Sequence, residues 1–317
     1  MFTCPSLWTF ITLACGFVLS TGRRTISRVI QLGCFAEGKR HHSIFYRFFS
    51  RAVWLPNELG KRVFYLALEL GLLPENMRII LTVDDTLCRK SGAHIWGGGM
   101  HHDALLSNYG RGKSLMKFFS FGHNWVIVCV CIRTPWNENR WMAVPIAFRL
   151  YRSKKRCPKE QYRKRTQLAR DEELAQSFSL RWTQEEMHRN VKQYLGLEDP
   201  QNGWWRRPKG RRRNKKIPGP QPHKKRGEKA VTRTVPFILT IYALVVLWYF
   251  GNGSAREDVE RARRLSPWYR EKTEPSFGDM LAALRRELWA ERNFSAPSYE
   301  QGSSKINVSL LDWLCAA

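Results

Sequence analysis

The sequence predicts a mixed α/β fold in which a small sheet lies between two helical regions. Three short apolar runs rich in β-branched residues, at 79–83, 125–132 and 142–150, predict buried strands. Before and after this part of the chain, apolar side chains recur at helical spacing instead. The segments expected from these patterns are helices at 1–75, a sheet-containing core at 76–200, a basic proline-rich loop at 201–232, helices at 233–292 and a tail at 293–317.

The composition is strongly basic. Lys and Arg number 53 against 27 Asp and Glu, which gives a net charge of +26. This excess favours a polyanionic partner, with nucleic acid first and an acidic membrane surface second. The eight cysteines include no C-x-x-C pair, so neither a zinc site nor a disulfide framework is indicated. A protein of the reduced cytoplasm, associated with the nucleoid, is the expectation.

Two adjacent carboxylates, Asp84 and Asp85, follow the first predicted strand, and a glycine-rich turn at 97–99 comes after them. A carboxylate pair at the end of a buried strand is costly to desolvate unless it is paired or holds a cation. Mg²⁺ is commonly held by one or two carboxylates together with substrate phosphates. The alternative interpretation is that both aspartates cap a turn or the next helix.

The second and third predicted strands are separated by turn-forming residues at 137–139, which predicts a hairpin. Pro145 in the third strand predicts an edge position or a bulge. Further along, the segment 181–199 predicts a helix that Gly196 ends. One face of that helix brings a carboxylate next to cations at steps of three and four residues: Trp182, Glu185, His188, Arg189 and Lys192.

Two basic segments are candidates for phosphate contacts. Between 206 and 229 the chain has 12 Lys or Arg and one acid, Glu228. Such a run is commonly a solvated loop, but Trp204 and Trp205 beside it favour polynucleotide binding. In the helix predicted near 41–54, the phenylalanines are expected in the core, while Arg47 and Arg51 share an outer face.

Two further apolar runs, at 7–19 and 235–250, raise the question of a membrane. Both are shorter than the roughly 20 residues that a spanning helix needs. The positive charges of Arg23 and Arg24 follow the first run, whereas a secretory signal carries its charge before the apolar stretch. Buried helices are therefore expected at both places, and a small basic membrane protein with these two spans is the alternative.

In their order along the chain, several motifs resemble those of the DDE transposases of bacterial insertion sequences, which have a ribonuclease H-like catalytic core. The motifs are LTVDDT at 81–86, HHD at 101–103, GHNWVIV at 122–128, PIAFRLY at 145–151, and RWTQEE at 181–186 with the following VKQYLGLEDPQ. The resemblance spans roughly residues 2–292. It implies an all-α N-terminal region that binds DNA and a core that cleaves and joins DNA at element ends.

The resemblance also implies a mechanism, in which two Mg²⁺ (or Mn²⁺) ions held by three carboxylates transfer a phosphoryl group. The aspartate of the first strand corresponds to Asp85, with Asp84 as the alternate. The glutamate of the late helix corresponds to Glu185, with Glu186 as the alternate. The implied partner is DNA rather than a small molecule, together with a second copy of the chain or an intact transposase.

One departure from the family pattern is serious. The family has a second catalytic aspartate after a fourth strand, whereas 152–180 contains no such strand and Asp171 as its only aspartate. We therefore expect an incomplete ribonuclease H-like core, produced by an internal deletion, and a defective enzyme. Asp171 and Asp103 are the residues that could replace the missing ligand. A DNA-binding remnant that competes at element ends is the alternative to an active transposase.

The residues predicted to contact DNA are cationic and come from the two basic segments and the late helix: Arg47, Arg51, Arg189, Lys192, Arg206, Arg207, Arg211, Arg212, Arg213, Lys215, Lys216, Lys224, Lys225 and Arg226.

Overall fold

The structure is a computed structural model that describes residues 2–33, 41–73, 79–90, 95–103, 118–152, 178–200 and 225–294, with isolated positions at 106, 154, 157 and 162. The helices of these ranges are α1 (Cys4–Leu19), α2 (Ile26–Gly33), α3 (Ser43–Ser50), α4 (Pro56–Glu69), α5 (Phe178–Leu195), α6 (Lys225–Asn252), α7 (Ala255–Leu265) and α8 (Phe277–Phe294). The strands are β1 (Leu81–Arg89), β2 (Gly99–His102), β3 (Phe119–Thr134) and β4 (Asn137–Tyr151). This mixed α and β content confirms the predicted fold class.

β3 is the centre of the four-stranded sheet and pairs antiparallel with each of the other strands. β1 and β4 lie on opposite edges of β3, because both pair with the same residues in its middle. Side chains of Trp125, Ile127 and Cys129 on one face of β3 join the main hydrophobic core. The sheet therefore presents this face to the packed helices.

The strands extend further than their apolar runs. β1 continues to Arg89, so Asp84 and Asp85 lie within the strand rather than after it. The hairpin between β3 and β4 is confirmed, but its turn is at 135–136, two residues before the predicted one. The register shift next to Pro145 confirms the predicted bulge. β2 was not predicted, because its four residues include no β-branched side chain.

The predicted N-terminal and C-terminal helices share one core. Phe237 of α6 makes edge-to-face contacts with Phe10 and Phe17 of α1. Phe48 and Phe49 of α3 also pack against Phe237, which confirms their prediction as core residues. Burial of these rings holds both α1 and α3 against α6.

Among the described residues, one helix is long and apolar enough to cross a membrane, at Gly227–Asn252 of α6. Its most apolar window is 89% buried inside the protein. Arg233 of the same helix is also buried, and it donates to Phe49 O at 3.2 Å and to Trp54 O at 2.9 Å. Because other parts of the protein cover most of this helix, the structure favours a buried core helix over a membrane span. α6 begins at Lys225, so the C-terminal end of the predicted loop is helical.

His123 is a buried base in β3 and predicts a pH dependence of stability. Its Nε2 lies 2.8 Å from Trp96 O, and burial lowers the pKa of its side chain to about 4. The unfolded chain takes up this proton at a higher pH, near 6.5, so acid favours unfolding between these two values. From this residue alone, the free energy of unfolding should fall by up to about 1.4 kcal/mol per pH unit.

Denaturant titrations at pH 7, 6 and 5 measure this slope. His123→Gln should give a shallower decline than the unmodified chain. His42→Gln, at an exposed histidine of the N-terminal region, is the matched control and should leave the slope unchanged. Equal slopes in all three proteins would contradict the prediction.

Candidate functional site

The candidate site lies where α5 crosses β1. α5 turns a buried stripe toward the sheet, made of Gln184, Met187, His188, Val191 and Leu195. Gln184 Nε2 donates to Ile127 O of β3 at 2.8 Å. Gly196 ends the helix with a φ of 60°, a left-handed conformation that glycine adopts at little cost. These contacts fix both the rotation and the end of α5 on the sheet.

Hydrogen bonds join the turn after α5 to the end of β1. Glu198 Oε1 accepts from Arg89 N at 3.1 Å, and Lys90 Nζ donates to Glu198 O at 2.9 Å and to Pro200 O at 2.8 Å. Burial lowers the pKa of the Lys90 ammonium. The local sequence gave no signal for this contact, because about 110 residues separate the partners.

Asp84 and Asp85 point to opposite faces of the sheet, because successive side chains of a strand alternate. Asp84 lies on the face that α5 covers, with its Oδ2 4.0 Å from His188 Nδ1. Asp85 lies on the other face, where its Oδ2 accepts from Asn124 Nδ2 at 2.9 Å. The two aspartates therefore have separate surroundings.

His188 is the neutral neighbour of Asp84. Burial, and secondarily the charge of Lys192, lowers the pKa of the His188 imidazole to about 3. Its Nε2 is buried and has no hydrogen-bond partner within the described part of the chain. The 4.0 Å separation from Asp84 is too long for a hydrogen bond. A neutral imidazole in this position can act as a nitrogen ligand for a cation.

The two glutamates of α5 differ in their contacts. Glu186 Oε1 lies 3.6 Å from Arg140 and 3.7 Å from Arg189. Arg140 also pairs with Glu274, so Glu186 belongs to an ion-pair network that joins α5, β4 and the segment before α8. Glu185 is exposed and precedes His188 by three residues, on the side of the helix that borders β1. Glu186 therefore takes part in ion pairs with arginines, whereas Glu185 is exposed on the side of α5 that carries His188.

Asp103 has a structural role in this arrangement. Its carboxylate accepts hydrogen bonds from Arg89 Nε at 2.6 Å, from Arg89 Nη2 at 2.9 Å and from Ser120 Oγ at 2.6 Å. Asp103 N donates to Phe118 O, just before β3 and nine residues from Ile127, the β3 partner of Asp84, which corresponds to roughly 30 Å of extended chain. Asp103 and Asp84 therefore cannot share a metal ion here. Asp171 lies outside the described residues.

The described part of the chain contains no group of three or more His, Cys, Asp or Glu side chains that could hold a metal ion. At the crossing of α5 and β1, the structure brings together Asp84 and His188, whose Oδ2 and Nδ1 atoms lie 4.0 Å apart. Hence the described residues do not fit the three-carboxylate, two-ion site that the resemblance implies.

The predicted DNA-contacting residues lie in different parts of the molecule. Arg47 and Arg51 are exposed at the end of α3, as predicted. Arg189 is also exposed, while Lys192 Nζ lies 4.0 Å from Glu198 Oε1. Lys225 and Arg226 stand in the first turn of α6. The remaining predicted contacts, at 206–224, lie outside the described residues.

The fold and the site define a mixed α and β protein with a carboxylate-bearing strand packed beneath a glutamate-bearing helix. A family model described as DDE superfamily endonuclease matches residues 10–192. The match covers more than half of the chain, and the chain belongs to this family. It includes both aspartates of β1 and Glu185, and it ends at Lys192, before the basic segment at 206–229 and the C-terminal helices. No curated protein and no solved structure matches the chain.

Proposed function

We propose that this protein is a descendant of an insertion-sequence transposase that binds DNA without cleaving it. Membership of the DDE superfamily endonuclease family makes DNA the partner. The observation that carries the proposal is the composition of the site: one aspartate faces α5, and the described residues offer no third carboxylate beside it. A two-ion phosphoryl transfer needs both ions held in fixed positions, which this ligand set does not provide.

Within this site we assign the metal-facing role to Asp84 and Glu185. Members of the family generally use divalent metal ions, so Mg²⁺ or Mn²⁺ is the expected ion. Asp84 is preferred to Asp85 because it shares a sheet face with α5, whereas Asp85 is bonded to Asn124 on the other face. Glu185 is preferred to Glu186 because Arg140 and Arg189 lie beside Glu186.

The DNA interface that we propose is electrostatic. The net charge of +26 provides the attraction, and the segment 206–229, with 12 Lys or Arg, concentrates it. Such a protein would act in the cytoplasm, on the nucleoid, alone or beside a second copy or an intact transposase. It would occupy element ends and exclude an active enzyme from them.

Salt dependence of duplex binding tests this interface. In a gel-shift titration, the affinity should fall steeply and log-linearly with salt concentration. Replacing Arg211, Arg212 and Arg213 with Gln should reduce the slope by about 2 to 3, since each phosphate contact contributes about 0.9. The matched control replaces three exposed cations of other helices with Gln. These are Lys61, Arg62 and Arg256, and their replacement should leave the salt slope nearly unchanged. Absence of any shift at low salt would contradict DNA binding.

A further inference from the structure

A short exposed turn between α7 and α8 joins two aromatic rings to several arginines. α7 ends at Leu265, and a 3₁₀ turn at Pro267–Tyr269 follows. Trp268 is 76% exposed and Tyr269 is 51% exposed, with their ring centroids 6.1 Å apart. Residues 263–270 read RRLSPWYR, with three arginines and no carboxylate. We call residues 263–270 the aromatic turn.

The aromatic turn is held in place from both sides. Ser266 N donates to Ala262 O at 3.0 Å, and Tyr269 N donates to Ser266 O at 2.9 Å. Arg263 Nε donates to Lys272 O at 2.8 Å, and the Lys272 ammonium lies 5.3 Å from the centre of the Tyr269 ring. The exposed rings therefore sit on an ordered backbone.

A buried carboxylate anchors the helix that carries this turn. Asp258 accepts from Tyr249 OH at 2.9 Å and from Arg261 Nη1 at 3.1 Å, and it also pairs with Arg286 of α8. Burial raises the pKa of Tyr249, and the charge of the nearby Asp258 raises it further. Asp258 and Val259 are buried, whereas Arg263 and Arg264 at the other end of α7 are exposed.

From these observations we infer that the aromatic turn is a base-stacking site for unpaired DNA. Exposed aromatic rings bind single strands by stacking on bases, whose faces are covered in a duplex, and neighbouring cations attract the backbone. Residues 263–270 contain three arginines and no carboxylate, which complements a polyanion, and Glu271 is the next carboxylate along the chain. Glu260, the preceding carboxylate along the chain, is paired with Arg256 at 3.3 Å. The site lies outside residues 10–192, and the inference rests on the proposed DNA binding.

The test compares a single-stranded oligonucleotide of about 20 bases with its duplex, both measured by fluorescence anisotropy on the full chain. Trp268→Ala combined with Tyr269→Ala should weaken single-strand binding at least about tenfold and duplex binding less than about twofold. Trp268→Phe with Tyr269→Phe keeps two stacking rings and should restore most of the affinity. Trp8→Ala, at another exposed tryptophan, is the matched control and should have no effect.

Several results would overturn the inference. If the double alanine variant loses single-strand and duplex binding equally, or loses neither, the stacking site is contradicted while the proposed DNA binding still holds. Failure of the unmodified chain to bind any DNA would remove both. Sedimentation identifies the competing role, because Trp, Tyr and Arg are also common in protein interfaces. If the double alanine variant loses a dimer present in the unmodified protein, the turn is an interface between copies instead.

Discussion

Replacement of Gly60 by alanine is expected to lower the free energy of unfolding by about 3 kcal/mol. Gly60 lies in α4 where the helix crosses β4, and a Cβ atom there would lie 1.7 Å from Ile146 O and 2.6 Å from its carbonyl carbon. Both are backbone atoms, so no side-chain rotation can relieve the overlap. The helix would have to move away from the strand and lose packing along their contact.

Denaturant unfolding followed by circular dichroism measures the effect. Gly251→Ala is the matched control, since that glycine is also helical but nothing lies within 4 Å of the added Cβ atom. The control should be unchanged or slightly more stable, because alanine favours a helix. A Gly60→Ala protein as stable as the control would show that α4 does not approach β4 this closely.

Arg24→Met is expected to cost a similar amount, about 3 kcal/mol. The buried Arg24 side chain donates to Phe17 O at 3.3 Å, to Ser20 O at 2.7 Å and to Tyr194 O. These carbonyls belong to the ends of α1 and α5, which lack partners inside their own helices. Burial lowers the pKa of Arg24 to about 10, and the charge of Arg285 adds to this. Methionine fills part of the space but leaves Phe17 O and Tyr194 O without the Arg24 donor, while Ser20 O keeps only Arg285 Nη2 at 3.3 Å.

Two variants of the same position and its neighbour separate hydrogen bonding from charge. Arg24→Lys keeps the charge but cannot donate in several directions, so it should recover only part of the stability. Arg23→Met changes the adjacent exposed arginine and should alter the free energy of unfolding by less than about 0.5 kcal/mol. Equal stability of the Arg24→Met and Arg23→Met proteins would contradict the role of Arg24 as a hydrogen-bond donor to the C-terminal ends of both α1 and α5.

The strands could be predicted wherever their apolar runs are long. The runs at 125–132 and 142–150 mark the centres of β3 and β4, because burial on both faces selects continuous apolar sequence. The ends of the strands could not be predicted this way. β1 lies at the edge of the described sheet, where the Arg89 side chain can reach solvent, whereas Asp84 lies beneath α5 and is only 15% exposed.

The site was predictable in its residue types but not in its geometry. Strand alternation requires Asp84 and Asp85 to face opposite ways, yet the sequence does not say which face α5 covers. That choice depends on contacts between distant residues, such as Lys90 with Pro200 and Arg24 with Tyr194. The proximity of His188 to Asp84 follows from the same packing. Sequence spacing alone could place Glu185 and His188 on one helix, but not against a particular aspartate.

A nicking assay tests the central claim most directly. The purified chain is incubated with supercoiled plasmid DNA and either Mg²⁺ or Mn²⁺, and the same samples are examined by gel shift. We expect bound DNA that stays supercoiled, because the carboxylates that α5 and β1 bring together are too few for two-ion cleavage. Metal-dependent nicking that disappears in Glu185→Gln would contradict this account. Parallel loss in Asp84→Asn, but not in Asp85→Asn, would then identify the aspartate that serves the active site.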